Sequence, residues 1–255
     1  MKCDHSLSLF QINRVDWSVW RFKICFSIPT GEHFSDNVVN EGRLMTDVST
    51  RGHLVEMGLQ HVQKTSYCST GLSEVLALAG VSKGSFYHYF ASKEEFGSAV
   101  LQRYLELEVT RATTLLGESR TAPIKRLRRY FDDLISVYGP KGSMSGGCLL
   151  GNLSQEMANH SDLIQQTLQE GFRIWEAAID AILQEAVTRG ELPPRTKTME
   201  MASFILNSYE GALLRAKAER SEAPLRLFLQ MIFGSFLIFL SKIKKIMKNL
   251  NFGSQ

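Results

Sequence analysis

GLSEVLALAGVSKGSFYHYF, residues 71–90, reads as two short helices joined by a tight turn. Gly71 can cap the first, and Glu74 sits where a carboxylate meets free N–H groups and the positive helix end. Leu72, Val75, Leu76 and Ala79 then fall on one face. Gly80 follows where a helix leaves through a left-handed residue, a conformation that costs glycine little. Val81 can fill the angle between the helices, and Ser82 is a good N-cap for the second. That second helix turns Lys83, Gly84, Ser85, Tyr87 and His88 outward and keeps Phe86, Tyr89 and Phe90 as anchors. A small polar front on aromatic anchors suits a helix pressed into a DNA major groove, although a core helical hairpin shows much of the same spacing.

The wording of the longer segment GVSKGSFYHYFASKEEF, residues 80–96, separates the two readings. It resembles the recognition helix and following helix start of TetR-family transcriptional regulators. Leu76 departs from that pattern, standing where the family most often carries alanine. The resemblance implies an all-α fold: a three-helix helix–turn–helix domain over residues 45–93, then a larger helical effector-binding and dimerisation domain over 94–245. It begins after Met45, so residues 1–44 stand apart as an extension, either upstream of the true start or an arm toward DNA or a partner. Residues 246–255 form a tail without a counterpart.

Helix signals continue along the chain. Leu54, Val55, Met57, Leu59 and Val62 give an apolar stripe from about Ser49 to Thr65, a buttress for the two short helices. Ser92 with Glu95 makes a capping box for a helix to about Leu116. Pro123 is placed at N1 of the next, whose Lys125, Arg126, Arg128 and Arg129 read as a solvated basic face. Further helices are expected after Cys148 to about Asn159, from Ser161 or Asp162 to Gly190, over Lys197–Glu219 and over Ala223–Lys245. Within the last, Leu227–Leu240 is apolar but shorter than the ~20 residues a spanning helix needs, so a buried dimer helix is expected and no stable membrane association.

Composition sets limits. The net charge of +3 is mild, and residues 45–97 carry Arg51, Lys64, Lys83 and Lys93 against five acids, so the motif, not the charge, argues for nucleic acid. Cys3, Cys25, Cys68 and Cys148 are too scattered for a zinc site or a disulfide framework, and no metal or cofactor is expected. The start has no secretory pattern, which makes a reducing cytoplasm the expected compartment. The loop 141–147 lacks the order of a phosphate-binding loop. Cys148, Glu156 and His160 lie close in sequence, but no oxyanion-type constellation accompanies them, so no catalytic residue is expected.

SGGCLLGNLSQEMA, residues 145–158, resembles a TetR-family branch of electrophile- and redox-responsive repressors with a cysteine at this place. A cysteine among glycines at a helix N-terminus meets unpaired N–H groups, which favour thiolate. Lys217 matches a lysine of that branch and would lower the thiol pKa further if near. The alternative is a structural cysteine lining a small-molecule pocket, with Tyr104 and Trp175 as aromatic candidates for the same sensor region. The resemblance implies a homodimer through the last two helices, gripping a pseudo-palindromic double-stranded operator. Lys83, Gly84, Ser85, Tyr87 and His88 would face bases and phosphates, and Thr70, Ser82 and Lys93 the backbone phosphates. A small molecule or electrophile would release it by pulling on the Ser92–Leu116 helix. An enzyme using Cys148, or a helical ligand- or membrane-associated protein not acting on DNA, are the rival classes.

Overall fold

The computed structural model describes residues 41–240 and Lys242, with side chains from Thr50 onward. The extension up to residue 40 and the tail lie outside the described residues. Among the described residues every regular element is a helix: α1 Glu41–Lys64, α2 Leu72–Ala79, α3 Lys83–Tyr89, α4 Lys93–Leu116, α5 Pro123–Tyr138, α6 Leu149–Met157, α7 Asp162–Thr188, α8 Thr198–Glu219 and α9 Ala223–Leu229. The last continues without a break through a π-helical segment, Gln230–Phe236.

Local chemistry accounts for most helix ends. Gly80 takes the left-handed conformation (φ 65°), its N–H bonding Ala77 O while Val81 N–H reaches Leu76 O. These two bonds satisfy two of the orphan carbonyls at the end of α2. Ser82 and Ser92 each accept the amide three residues on, at 3.1 and 3.0 Å. Glu95 does reach back, but to the Ala91 amide at 2.7 Å, so the box at α4 closes one residue further out than expected. Pro123 opens α5, and Ser161 accepts from Ile164 N–H at the start of α7.

The head is α1–α3. Phe86 and Phe90 are essentially fully buried and meet Phe96 of α4 at ring-centroid distances of 5.5 and 5.2 Å. α1 packs on both α2 and α4, so α4 belongs to head and body at once. In the body α7 lies against α4, α5, α6 and α8, and α9 folds back on α8. One apolar core runs unbroken from Leu54 to Leu237. Burial of this kind, at about 25 cal/mol per Å² of apolar surface, is what holds helices whose own propensity is modest.

Two expectations change here. α1 begins at Glu41, eight residues before the start expected from its apolar stripe. Arg126 is not part of a solvated basic face: it is 1% exposed, donates to Leu116 O and pairs with Glu185 at 2.5 Å. It thereby occupies a carbonyl left open at the end of α4.

Candidate functional site

α3 presents a largely polar surface because Phe86 turns inward and Tyr89 is half-buried, which leaves the other side chains outward. Lys83, Gly84, Ser85, Tyr87 and His88 are exposed, while Phe86 is buried beneath them. Tyr87 is half-exposed (51%) and held edge-on against Phe86 at 5.3 Å, so its ring is presented rather than free. Ser82 and Ser85 hydroxyls lie 3.0 Å apart. The α2–α3 pair thus offers a short helix with small and polar residues at its tip, the shape that enters a major groove.

Thr70 and Lys93 are placed differently from the expectation that they face phosphates. Thr70 is 2% exposed and its hydroxyl donates to Ser66 O at 2.5 Å. The Lys93 ammonium donates to Tyr67 O and Thr70 O at 3.2 and 2.8 Å and lies over the Tyr67 ring. Carbonyls of the 66–71 turn claim both side chains, which brace the head internally.

The second region is built around α6. Its N-cap is Cys148, 3% exposed, in an extended backbone conformation. The Tyr104 hydroxyl of α4 donates to Cys148 Sγ at 3.7 Å. Glu210 of α8 closes the other side: a Cβ on Gly151 would lie 2.6 Å from Glu210 Oε2, so the carboxylate rests directly on the first turn of α6. Glu210 Oε1 is buried without a hydrogen-bond partner. A cavity of about 250 Å³ opens between α6, α7 and α8, with Cys148, Asn152, Phe172, Glu210 and Lys217 among its walls.

The electrostatics reverse the expected thiolate. Burial pushes the Cys148 thiol well above its ordinary range, and the Glu210 charge adds to this; the Gly151 amide and Tyr104 hydroxyl act the other way without prevailing. Burial likewise raises the Glu210 carboxyl to about 7, against a smaller opposing effect of its bond with Cys148. Lys217 lines the same cavity but donates to Asn152 Oδ1 at 3.2 Å. The cysteine's ionisable neighbour is therefore an acid. Glu210 was not singled out by sequence, although it lies two helical turns before Lys217, a spacing that puts both on one face. Trp175 does not line this cavity; it donates to the Tyr130 hydroxyl and borders a separate small apolar void with Leu105 and Ile174.

α6 and the loop that leads into it both touch the head. In that loop, Gly146 is pressed against α1 so closely that a Cβ there would lie 2.0 Å from Gln63 O. Asn152 holds that loop by donating to Gly146 O at 2.9 Å. At its end, Glu156 accepts the Cys68 backbone N–H at 2.8 Å. Cys68, expected to be a packing residue, is exposed, and burial together with Glu156 raises its thiol pKa. Among the described residues no cluster of three or more histidine, cysteine or acidic side chains is placed to hold a metal.

The second face of the body is apolar. Phe204, Leu214, Leu227, Met231 and Phe239 are each at least half exposed on α8 and the last helix. Ala223–Leu240 is also long and apolar enough, by length and composition, to cross a membrane, a longer stretch than the fourteen residues read from sequence.

Comparison with known proteins agrees with this architecture. Residues 59–100 match the model for bacterial regulatory proteins of the tetR family, and residues 123–232 that for the tetracyclin repressor-like C-terminal domain. The HTH-type transcriptional repressor DhaR of Mycobacterium sp. (strain GP1) is 34% identical over 194 residues, 76% of this chain and 95% of that protein. The HTH-type transcriptional repressor NemR of Escherichia coli is 34% identical over 184 residues, 71% and 90% of the two chains. The crystal structure of reduced NemR superimposes with a TM-score of 0.67 at 32% identity, over 73% of this chain and 96% of that one. A regulatory protein TetR from Rhodobacter sphaeroides gives 0.64 at 32% identity, over 71% and 96%. Regulators of this kind bind DNA operators, act as dimers and are not enzymes. With its two family domains in order and repressors matched over nearly their whole length, the chain belongs to the TetR family of DNA-binding transcriptional regulators.

Proposed function

We propose that this protein is a cytoplasmic repressor that leaves a pseudo-palindromic operator when the Cys148 cavity takes up a small effector or when Cys148 is modified. α3 carries the DNA contact, with Lys83, Gly84, Ser85, Tyr87 and His88 at the groove and Ser82 near the backbone. Two such helices must sit one DNA turn apart, ~34–36 Å, so a small rotation of either head is enough to lose one half-site. The dimer is made through the exposed apolar face of α8 and the last helix. Phe204, Leu227 and Met231 lie there on one continuous groove, as an interface between two copies requires.

The observation that carries the reading is the placement of α6. Its first residue follows the cavity cysteine, the loop before it bears on Gln63, and its last turn bears on the Cys68 amide of the head. Whatever shifts α6 shifts the head, in addition to any pull on α4. At about 250 Å³ the cavity falls at the small end of ligand sites, so the effector is small. Because the thiol is buried and its pKa raised, occupancy of the cavity is the more direct trigger, and covalent modification proceeds through the minor thiolate form.

The test is operator binding by wild type and Cys148→Ser, with and without iodoacetamide, which alkylates sulfur with loss of iodide. The DNA upstream of the protein's own gene is the first target. Binding abolished by alkylation in wild type and retained in the variant supports a cysteine switch. Binding unaffected in wild type removes that arm and leaves the noncovalent one, and no selective binding to any genomic segment sinks the repressor reading.

A further inference from the structure

We propose that the cleft between the end of α5, the α8–α9 turn and the start of α9 is a second binding site, for a small anion with two or more charged oxygens, such as a phosphate ester or a dicarboxylate. The cleft measures about 530 Å³, within the range of small-molecule sites and larger than the cavity at Cys148. Four cations line it, Lys141, Lys217, Arg220 and Arg226, against one carboxylate, Glu222. Glu222 is already taken by Arg226 at 2.9 Å, with Lys141 at 4.0 Å. The hydroxyls of Ser145 and Ser221 complete the walls.

A helix end attracts cations of its own accord, and Lys217 and Arg220 sit at the end of α8. That does not account for the other two. Lys141 arrives from the loop behind α5 and is 82% exposed, and Arg226 comes from α9. Two stretches distant in sequence, the loop at Lys141 and the turn from Lys217 to Arg226, therefore converge their charges on one concavity. Guanidinium forks flanked by ammonium groups match the geometry of phosphoryl and carboxylate oxygens.

Arg220 supplies the second argument. It is the only non-glycine among the described residues with positive φ (48°), at the position after α8 where glycine fits without strain. The chain keeps a long cation there instead. The site is formed by side chains and not by a glycine-rich backbone loop, and Lys217 stands in the wall between it and the Cys148 cavity.

The experiment is isothermal titration of the full-length protein with sodium pyrophosphate and, separately, sodium malonate, with ionic strength held constant by sodium chloride. Saturable binding of either anion is expected, weakened at least tenfold in Lys141→Gln/Arg220→Gly. The unliganded double variant should melt no lower than wild type, because glycine relieves the left-handed position. Lys141→Gln alone, an exposed change, should weaken binding at least threefold and serves if the double variant melts early. Preference between the two anions tells a phosphoryl from a carboxylate ligand. Saturable heat from neither anion, or a loss below threefold in the variants, overturns the proposal.

Discussion

Glu210 allows a test whose size follows from the structure. Folding raises its carboxyl from 4.5 to about 7, so the native protein holds more protons than the unfolded chain between those values. The group's favourable contribution is fully present below 4.5 and is lost as pH rises through about 7. A displacement of that size corresponds to about 3 kcal/mol between the two limits. Glu210→Gln keeps the shape and removes the titration. At acid pH the substitution gives up at most its bond to Cys148, about 1 kcal/mol. At pH 8 the same loss is set against relief of the buried charge, and the variant should be the more stable protein by about 2 kcal/mol. The quantity to measure is the difference between wild type and variant in urea unfolding from pH 5 to 8.5, at one fixed protein concentration because a dimer's stability depends on it. The difference should grow in the variant's favour by about 2.5 kcal/mol across the window, which opens just above the unfolded value. A flat difference, or growth in wild type's favour, would refute the burial argument and with it the account of why the neighbouring thiol is raised.

Three other outcomes are expected. Ser92→Ala removes the cap at the start of α4 and should cost about 1 kcal/mol in chemical denaturation; an unchanged midpoint would mean that the α4 N-terminus is held by other contacts. Met231→Asp places a charge on the exposed apolar face and should shift the protein toward monomer in sedimentation equilibrium, whereas an unaltered dimer would put the interface elsewhere. Glu156→Ala frees the Cys68 N–H and should speed its hydrogen exchange about tenfold, in line with loss of a charge-assisted bond of about 1.5 kcal/mol. Exchange at the wild-type rate would disconnect α6 from the head.

What could be read from sequence was what short-range chemistry decides. Gly80, Ser82, Ser92, Pro123 and Ser161 mark helix ends because each acts on amides or carbonyls within a few residues. The inward turn of Phe86 and Phe90 followed from the polarity of their neighbours. Arg126 was misread because its acid partner, Glu185, lies in another helix, and a charge run reads as surface unless that partner is known. The outward reading of Thr70 and Lys93 rests on resemblance, while the turn carbonyls that draw them inward are a property of the folded turn. Glu210 is not legible as a site residue for a similar reason: its character comes from burial against Gly151 and Cys148, contacts between α8 and α6 that no local pattern shows.

The π-helical segment sets the phase of the last helix. The exposed groove runs from Leu227 to Met231 and then to Phe236, and the buried side from Leu229 to Ile232 and then to Leu237. The last step on each side is five residues, where an α-helix would step three or four. With regular winding the next groove position would fall on Gly234 or Ser235, and the groove would end in small residues instead of a phenylalanine. The widened turn behaves as a single-residue insertion taken up without breaking the helix. Deleting Ser235 should therefore let the segment relax to ordinary winding with its aromatic ring still in line, while replacing it would leave the turn as it is.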